Sequence, residues 1–387
     1  MGRIERKYPT ELKRTPLYEV HKGLGARIID FHGWEMPLQY SGIMDEHRAV
    51  RSSVGIFDIS HMGEIELSGG DALKMLQIIT VNDVSRLKDN ECQYSMMCYP
   101  DGGIVDDLLV YRLSGERFML CVNASNTEKD YEWVLKNLIS GKSKSLFRDV
   151  EVKNISNTIS QISIQGKNAE KVLQKTSQID LSLIKFYWFK TCSIHGVDAI
   201  VSRTGYTGED GFELYMKNEG AIKIWDELLK AGKEYDIKPV GLGARDTLRM
   251  EMKYPLYGND IGEKTTPLEA GLGWVVKFNK GDFIGKDKLQ SQRERGMERK
   301  LIGFEMTGKG IPRQHYLIFK GSEEIGEVTS GTMSPTLNKA IGIGYVKTGL
   351  SGIHEEIEID IRGNHQKAKI VSTPFYPAHN LLRRDSS

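Results

Sequence analysis

The chain has 387 residues, which at roughly 150 residues per domain implies two or three domains. Its 53 Lys+Arg against 52 Asp+Glu leave a formal net charge of +1, so a nucleic-acid binder held by a global positive field is excluded. An apolar content of 39% beside 27% charged residues supplies a core and lies far from the composition of disorder, and no run of about 18 apolar residues is present to span a membrane.

The basic N-terminal stretch MGRIERKYPTELKRTPLY has no apolar segment, which argues against a secretory leader. Glu5 and Glu11 argue against a transit peptide, and a cytoplasmic location is expected. Thr15-Pro16 has the form of an N-cap followed by proline at the first helical position, with Leu17, Val20 and Leu24 as the stripe and Gly23 and Gly25 closing it. A second short helix is expected over 46–53, ending before Gly55. IFDISHMGEIELSGG (56–70) alternates as strand, and Asp71 then stands where it would cap a helix bearing Leu73, Leu76 and Ile79. Residues 92–123 read as three strands, CQYSMMCY, IVDDLLVY and RFMLCVN, with Pro100-Asp101-Gly102-Gly103 as the turn between the first two. Ser125 and Glu128 have capping-box spacing and open a helix with Tyr131, Val134, Leu135 and Leu138 inward. Strands follow at 158–164 and 197–203, and a helix at 219–232 carries Ile222, Trp225, Leu228 and Leu229. Strands and helices interleave without a βαβ repeat, so the expected class is α+β. KDKLQSQRERGMERK (286–300), with six basic and three acidic residues, reads as an exposed helix and linker. LIGFEM, EIGEVTSG, IGIGYV and EIEIDIRG after it predict a β module, a small barrel or sandwich. The chain is thereby divided into residues 1–288 and 289–387.

Three segments can carry chemistry. In GGIVDDLLVY (102–111) successive side chains face opposite sides of a strand, so Asp106 and Asp107 each enter an otherwise apolar row. A buried carboxylate needs a partner, a capping role or a function, and a pair favours one structural and one chemical role. SRTGYTGEDGFEL (202–214) packs three glycines, the Tyr206 ring and three acids into ten residues. It is either a loop shaped around a flat ligand, with Glu213 accepting two parallel hydrogen bonds and Tyr206 supplying a ring, or an acidic surface turn. GLGARDTLRME (241–251) starts a helix but lacks the third glycine of a dinucleotide loop; Arg245 is then an anion or carbonyl clamp, or a surface salt-bridge partner. The four cysteines, Cys92, Cys98, Cys121 and Cys192, form no C-x-x-C, so neither a zinc knuckle nor a redox pair is suggested and a reducing compartment is expected. No P-loop, G-x-S-x-G or H-E-x-x-H occurs, and the scattered histidines read as polar packing, so no metal is expected.

RTPLYEVH, DFHGWEMPLQY, VGIFDISHMGE, GGIVDDLLVY, VNASNTEKD, SRTGYTGEDGFEL, GLGARDTLRMEM, LYGNDI and GEVTSGTMSPTL together resemble the aminomethyltransferases, the T-proteins of the glycine cleavage system. The matches run in the family's order across roughly residues 14 to 377. The resemblance implies a three-domain cloverleaf around a central folate cavity, with two interleaved α+β domains and a C-terminal β-barrel. It implies transfer of the methylene carbon of an aminomethyl-dihydrolipoyl group, carried on the lipoylated H-protein, to tetrahydrofolate as co-substrate. The products are 5,10-methylenetetrahydrofolate and ammonia; no nucleic-acid or membrane partner is implied. By motif match Asp107 is the functional acid and Asp106 structural. Glu213 and Arg245 contact the pterin, and Tyr206, Tyr94, Met62 and Asn123 line its pocket. Trp274 matches as well, as lining or as core, and Tyr376 is the candidate to close on the folate tail. Basic residues at 286–300 or 1–14 are candidates to receive an acidic carrier. Two relatives compete: a folate-dependent demethylase of a small methylated amine or sulfonium, and a folate-binding iron–sulfur assembly factor. The latter carries K-G-C-Y-x-G-Q-E where this chain has R-T-G-Y-T-G-E-D.

Overall fold

A computed structural model describes residues 11–377. Helix α1 (Tyr18–Gly23) precedes the hairpin β1 (Arg27–Phe31) and β2 (Trp34–Gln39). The expected Thr15-Pro16 cap does not form: Thr15 turns its hydroxyl to Asp58, 2.6 Å away, and Leu24 is exposed rather than inward. Helix α2 (Ile43–Ser52) starts three residues earlier than expected and leads into β3 (Gly55–Asp58) and β4 (Gly63–Ser68). These are two strands in two sheets, where alternation predicted one. Asp58 is the reason: its Oδ1 accepts from the Ser60 amide, and Met62 N–H closes a turn onto Ile59 O, so the ladder stops there.

Helix α3 (Ala72–Ile79) buries Ala72, Met75, Leu76 and Ile79. Asp71 occupies its N-cap position, but the carboxylate accepts from the Arg148 and Asp149 amides instead of the helix. Strands β5 (Cys92–Cys98), β6 (Ile104–Ser114) and β7 (Arg117–Val122) form the expected meander. Helix α4 (Thr127–Ser143) has Asn126 as its N-cap and no side-chain cap, so the Ser125/Glu128 box is not made. Strand β8 (Glu151–Asn154) completes a five-stranded sheet ordered β5-β6-β7-β4-β8. Its apolar face, with Ile65, Leu67, Leu108 and Val110, packs on α3 and α4 through Met75, Leu76, Val134 and Leu138.

The chain then returns to the sheet it left. Strand β9 (Ile159–Gln165) pairs with β3, and after α5 (Ala169–Gln174) come β10 (Phe189–Ile194), β11 (Val197–Ser202) and β12 (Gly211–Lys217). Helix α6 (Ala221–Ala231) buries Ile224, Trp225 and Leu228 while Ile222 faces solvent, and β13 (Lys238–Pro239) closes the six-stranded order β10-β11-β12-β9-β3-β13. Helix α7 (Leu242–Glu251) and the mostly exposed α8 (Lys286–Arg295) follow. Strands β14 (Arg299–Met306), β15 (Leu317–Lys320), β16 (Glu323–Ser334), β17 (Lys339–Lys347), β18 (Glu356–Ile361) and β19 (Asn364–Val371) then close a barrel, β14 pairing with β19. The fold is α+β, with the five-stranded sheet inserted between β3 and β9 of the six-stranded one, and with a C-terminal β-barrel. Among the described residues no helix is long and apolar enough to cross a membrane.

Candidate active site

A cavity of about 770 Å³ opens where the two sheets, α7 and the 252–274 segment meet. Asp107, Glu213, Arg245, Tyr206, Tyr94, Met62 and Asn123 all line it, although they come from strands β5, β6 and β12, helix α7 and three loops.

Asp107 reaches the cavity because strand geometry sorts the acidic pair. On β6, Leu108 and Val110 join the core under α3 and α4, while Leu109 and Tyr111 face the other way. Asp107 follows the second set and Asp106 the first. Asp106 is fully buried and receives three N–H donors: Asn123 N at 3.0 Å, Asn123 Nδ2 at 2.9 Å and Asn126 Nδ2 at 2.6 Å. This set holds Asp106 on the core side of the strand, and Asp106 is not among the residues that line the cavity. Asp107 is only partly buried; Tyr94 donates its hydroxyl to Oδ2 at 2.9 Å and Asn123 Nδ2 donates to Oδ1 at 2.8 Å. Burial, followed by the Asp106 charge, pushes the Asp107 carboxyl up to about 7, against the pull of the Tyr94 and Asn123 donors. A carboxylate that takes up a proton near neutrality can hold a developing cation or move a proton.

Glu213, on β12, is buried and accepts from the Thr204 hydroxyl at 2.6 Å through Oε2. Among the described residues no group donates to its Oε1. Burial pushes this carboxyl up, with Thr204 and Arg245 opposing. The Arg245 guanidinium lies 4.8 Å from the Tyr206 ring centre, and burial lowers its pKa while Glu213 raises it. Tyr206 stacks on Tyr254 with ring centres 5.7 Å apart and ties its hydroxyl to the Pro255 carbonyl. The cavity therefore offers a planar acceptor edge, a guanidinium and flat aromatic faces at one end, and a titrating carboxylate on the opposite sheet. Among the described residues no group of three His, Cys, Asp or Glu is arranged to hold a metal.

For Trp274 the structure decides between the two alternatives, and for Tyr376 it gives a position. Trp274 is not core: it is 54% exposed and stacks on Tyr94 at 6.1 Å on the cavity rim. Tyr376 does not line the cavity, where Thr373 and Pro374 of the same segment do; its ring covers the Arg51 guanidinium at 4.3 Å. Other lining residues had no signal in the sequence. Lys253 and Tyr187 face the cavity from left-handed backbone, with φ of 53° and 63°, a conformation that composition does not announce. His61 is buried in the wall against the edge of Phe31. Burial, then Arg245, lowers it to about 3, so it stays neutral.

Comparison with known proteins places these features in a family. Residues 17–280 match the model of the GCVT N-terminal domain and residues 299–377 that of the glycine cleavage T-protein C-terminal barrel domain. An aminomethyltransferase of Desulfitobacterium hafniense is 52% identical over 367 residues, covering 95% of this chain and 99% of the relative. One from a Geobacillus species is 54% identical, covering 94% and 99%. The crystal structure of glycine cleavage system aminomethyltransferase T from Bartonella henselae superposes with a TM-score of 0.88 at 32% identity, over 95% of this chain and 99% of that one.

Proposed function

The chain belongs to the glycine cleavage T-protein family and is an aminomethyltransferase, and from that premise we propose how its cavity performs the transfer. Tetrahydrofolate is the carbon acceptor, and the lipoylated H-protein delivers the aminomethyl group on its dihydrolipoyl arm. The observation that carries this reading is that Glu213, from one sheet, and Asp107, from the other, line one cavity. Glu213 keeps an oxygen that receives no donor from the described residues, which suits the paired N–H donors of a reduced pterin edge. Arg245, held over Tyr206, faces the same end, and Tyr94, Met62 and Asn123 bound the space between.

Reduced folate supplies the amines that accept the carbon. The protein supplies the field around them. Asp107, fixed by Tyr94 and Asn123, sets negative charge beside nitrogens that become cationic as the carbon passes, a preorganised electrostatic contribution. Its readiness to bind a proton near neutrality also lets it take one from an attacking amine. Asp106 keeps Asn123 in place, because the same amide serves both aspartates. The exposed Arg293 and Arg295 on α8 are the surface proposed to receive an acidic carrier.

The test is an assay in the direction of glycine synthesis with lipoylated H-protein, ammonia and 5,10-methylenetetrahydrofolate. Carrier-dependent consumption of the folate is expected. Binding of folate without carrier-dependent turnover overturns the reading in favour of a carrier-independent demethylase or a non-catalytic folate binder.

A further inference from the structure

Behind the strand that bears Asp107 lies a carboxyl that the transfer as described does not use. Asp130, on the first turn of α4, is fully buried, and neither of its oxygens makes a regular hydrogen bond to a described residue. A buried carboxylate without donors is costly, so such a group sits neutral, with a proton to give. Burial and then Asp106 do push it up, to about 11, with Asp107 adding a smaller repulsion.

The surroundings say where that proton points. Asn126, the N-cap of α4 and one turn ahead of Asp130, donates to Asp106 Oδ1 at 2.6 Å, which sets the first turn of α4 against Asp106 on β6; the Asp106 charge, and more weakly that of Asp107, raises Asp130. On α4 itself, Lys129 opposes the repulsion but gives its ammonium to the Val105 carbonyl and the Tyr257 hydroxyl. Tyr99 and Glu263 complete the titratable groups on that side, and Tyr94 and Tyr206 face Asp107 from the cavity. Asp106 receives only amide N–H donors, the pattern of a carboxylate. The Asn123 Nδ2 group, with two hydrogens, serves Asp106 Oδ1, Asp107 Oδ1 and the Asp107 carbonyl at 2.8 to 3.0 Å. A movement of Asp106 is therefore passed to Asp107 through one amide.

We propose that Asp130 is a positioning residue for the transfer: its neutral carboxyl faces the Asp106 carboxylate as a proton donor, and this pairing holds Asp106, and through Asn123 the side chain of Asp107, in the cavity wall. The proposal rests on the role given above to Asp107. It also accounts for an acid in the buried face of α4, where an apolar residue would otherwise serve.

Two measurements test it. In the wild-type enzyme carrying 13C-labelled aspartate carboxyls, with the Asp130 signal assigned through Asp130→Asn, that signal holds the chemical shift of a neutral acid from about pH 6 to 9; a carboxylate shift in that range overturns the proposal. In Asp130→Leu, the aspartate pair loses a donor and keeps its last proton to higher pH, so the acid limb of kcat/KM moves up by about half a pH unit or more. Its kcat falls about tenfold or more while KM for tetrahydrofolate stays within about twofold. Asp130→Asn, which retains an N–H donor, restores most of both. An unmoved limb in Asp130→Leu, or an Asp130→Asn enzyme as impaired as Asp130→Leu, overturns it. If Asp130→Leu does not fold, the carboxyl spectrum of the wild type decides. Full turnover in Asp107→Asn would instead remove the role of Asp107, a result separable from the protonation state of Asp130.

Discussion

At Asp107 two demands oppose each other. Tyr94 and Asn123 stabilise its charge, while burial and the neighbouring Asp106 resist it, and the balance leaves the group titrating at about 7 rather than at the ordinary 3.8. Two outcomes follow from the sign of that shift. The ionised form is the working one, so kcat/KM declines as pH falls through about 7, and an acid limb placed near the ordinary carboxylate value contradicts the assignment. Asp107→Asn keeps the shape but not the charge; turnover in the carrier assay drops by about 10²–10⁴, while tetrahydrofolate affinity measured by calorimetric titration stays close to wild type. The acidic pair was legible in the sequence because strand alternation has a period of two and both rows were otherwise apolar. The distinction between its members comes from the family motif, and the structure supplies a physical counterpart: three amide donors hold Asp106 on the core side of β6. Asp130 carries no signal in the sequence, since one acid in an amphipathic helix reads as surface until its neighbours are known.

Among elements, β6 is where local sequence and tertiary packing agree most closely. Its turn 100–103, its start at Ile104 and its pairing with β5 and β7 match the pattern of glycines and alternating apolar residues, although it runs to Ser114, beyond the expected end at Tyr111. Gly103 matters for a reason the turn motif does not contain: a β-carbon there would lie 2.0 Å from the Glu263 carbonyl oxygen. Gly103→Ala must therefore displace the 263–265 segment, which accepts from the Ile104 amide, or tilt β6 and its aspartates. A stability loss of about 1–3 kcal/mol is expected, seen as a lower Tm in calorimetry; an unchanged Tm refutes the close approach. The failed expectations share a cause. Thr15, Asp71 and the Ser125/Glu128 pair have capping chemistry, but distant backbone and side chains compete for Thr15 and Asp71, and a short 3-10 turn over Ala124–Asn126 replaces the box. The 56–70 stretch was read as one strand because alternation continues across the Ile59–Met62 turn, and only the assembled molecule shows two sheets claiming its halves.

On the scale of the whole molecule, Glu251 at the end of α7 fastens the barrel to the sheets. Its carboxylate accepts from Ser334 Oγ and from Thr336 N at 3.2 Å on the barrel side, and from Arg51 Nη2 at 2.9 Å on α2. Arg51 also holds Glu209 at 3.0 Å and the Thr207 carbonyl at 2.7 Å, and His47 lies 3.3 Å from Glu251. Burial pushes the Glu251 carboxyl up, but these partners outweigh it and hold it at about 2 against an ordinary 4.5. A depressed folded value contributes stability that is complete above the unfolded pKa and is lost as pH falls towards about 2. Glu251→Ala, which strands a buried guanidinium, lowers stability by about 3–5 kcal/mol and flattens the loss between those two values in acid denaturation; equal acid curves for variant and wild type refute the fastening role. The interleaved sheets impose a different constraint, one of time. Ile56 on β3 finds its partner in Ile164 on β9, roughly a hundred residues later. At roughly 5–20 residues per second of synthesis, β3 leaves the ribosome about 5–20 s before its neighbour exists. For that interval β3 waits without its β9 neighbour, while the five-stranded sheet, built from residues 63–154 without interruption, has all its strands before β9 is made.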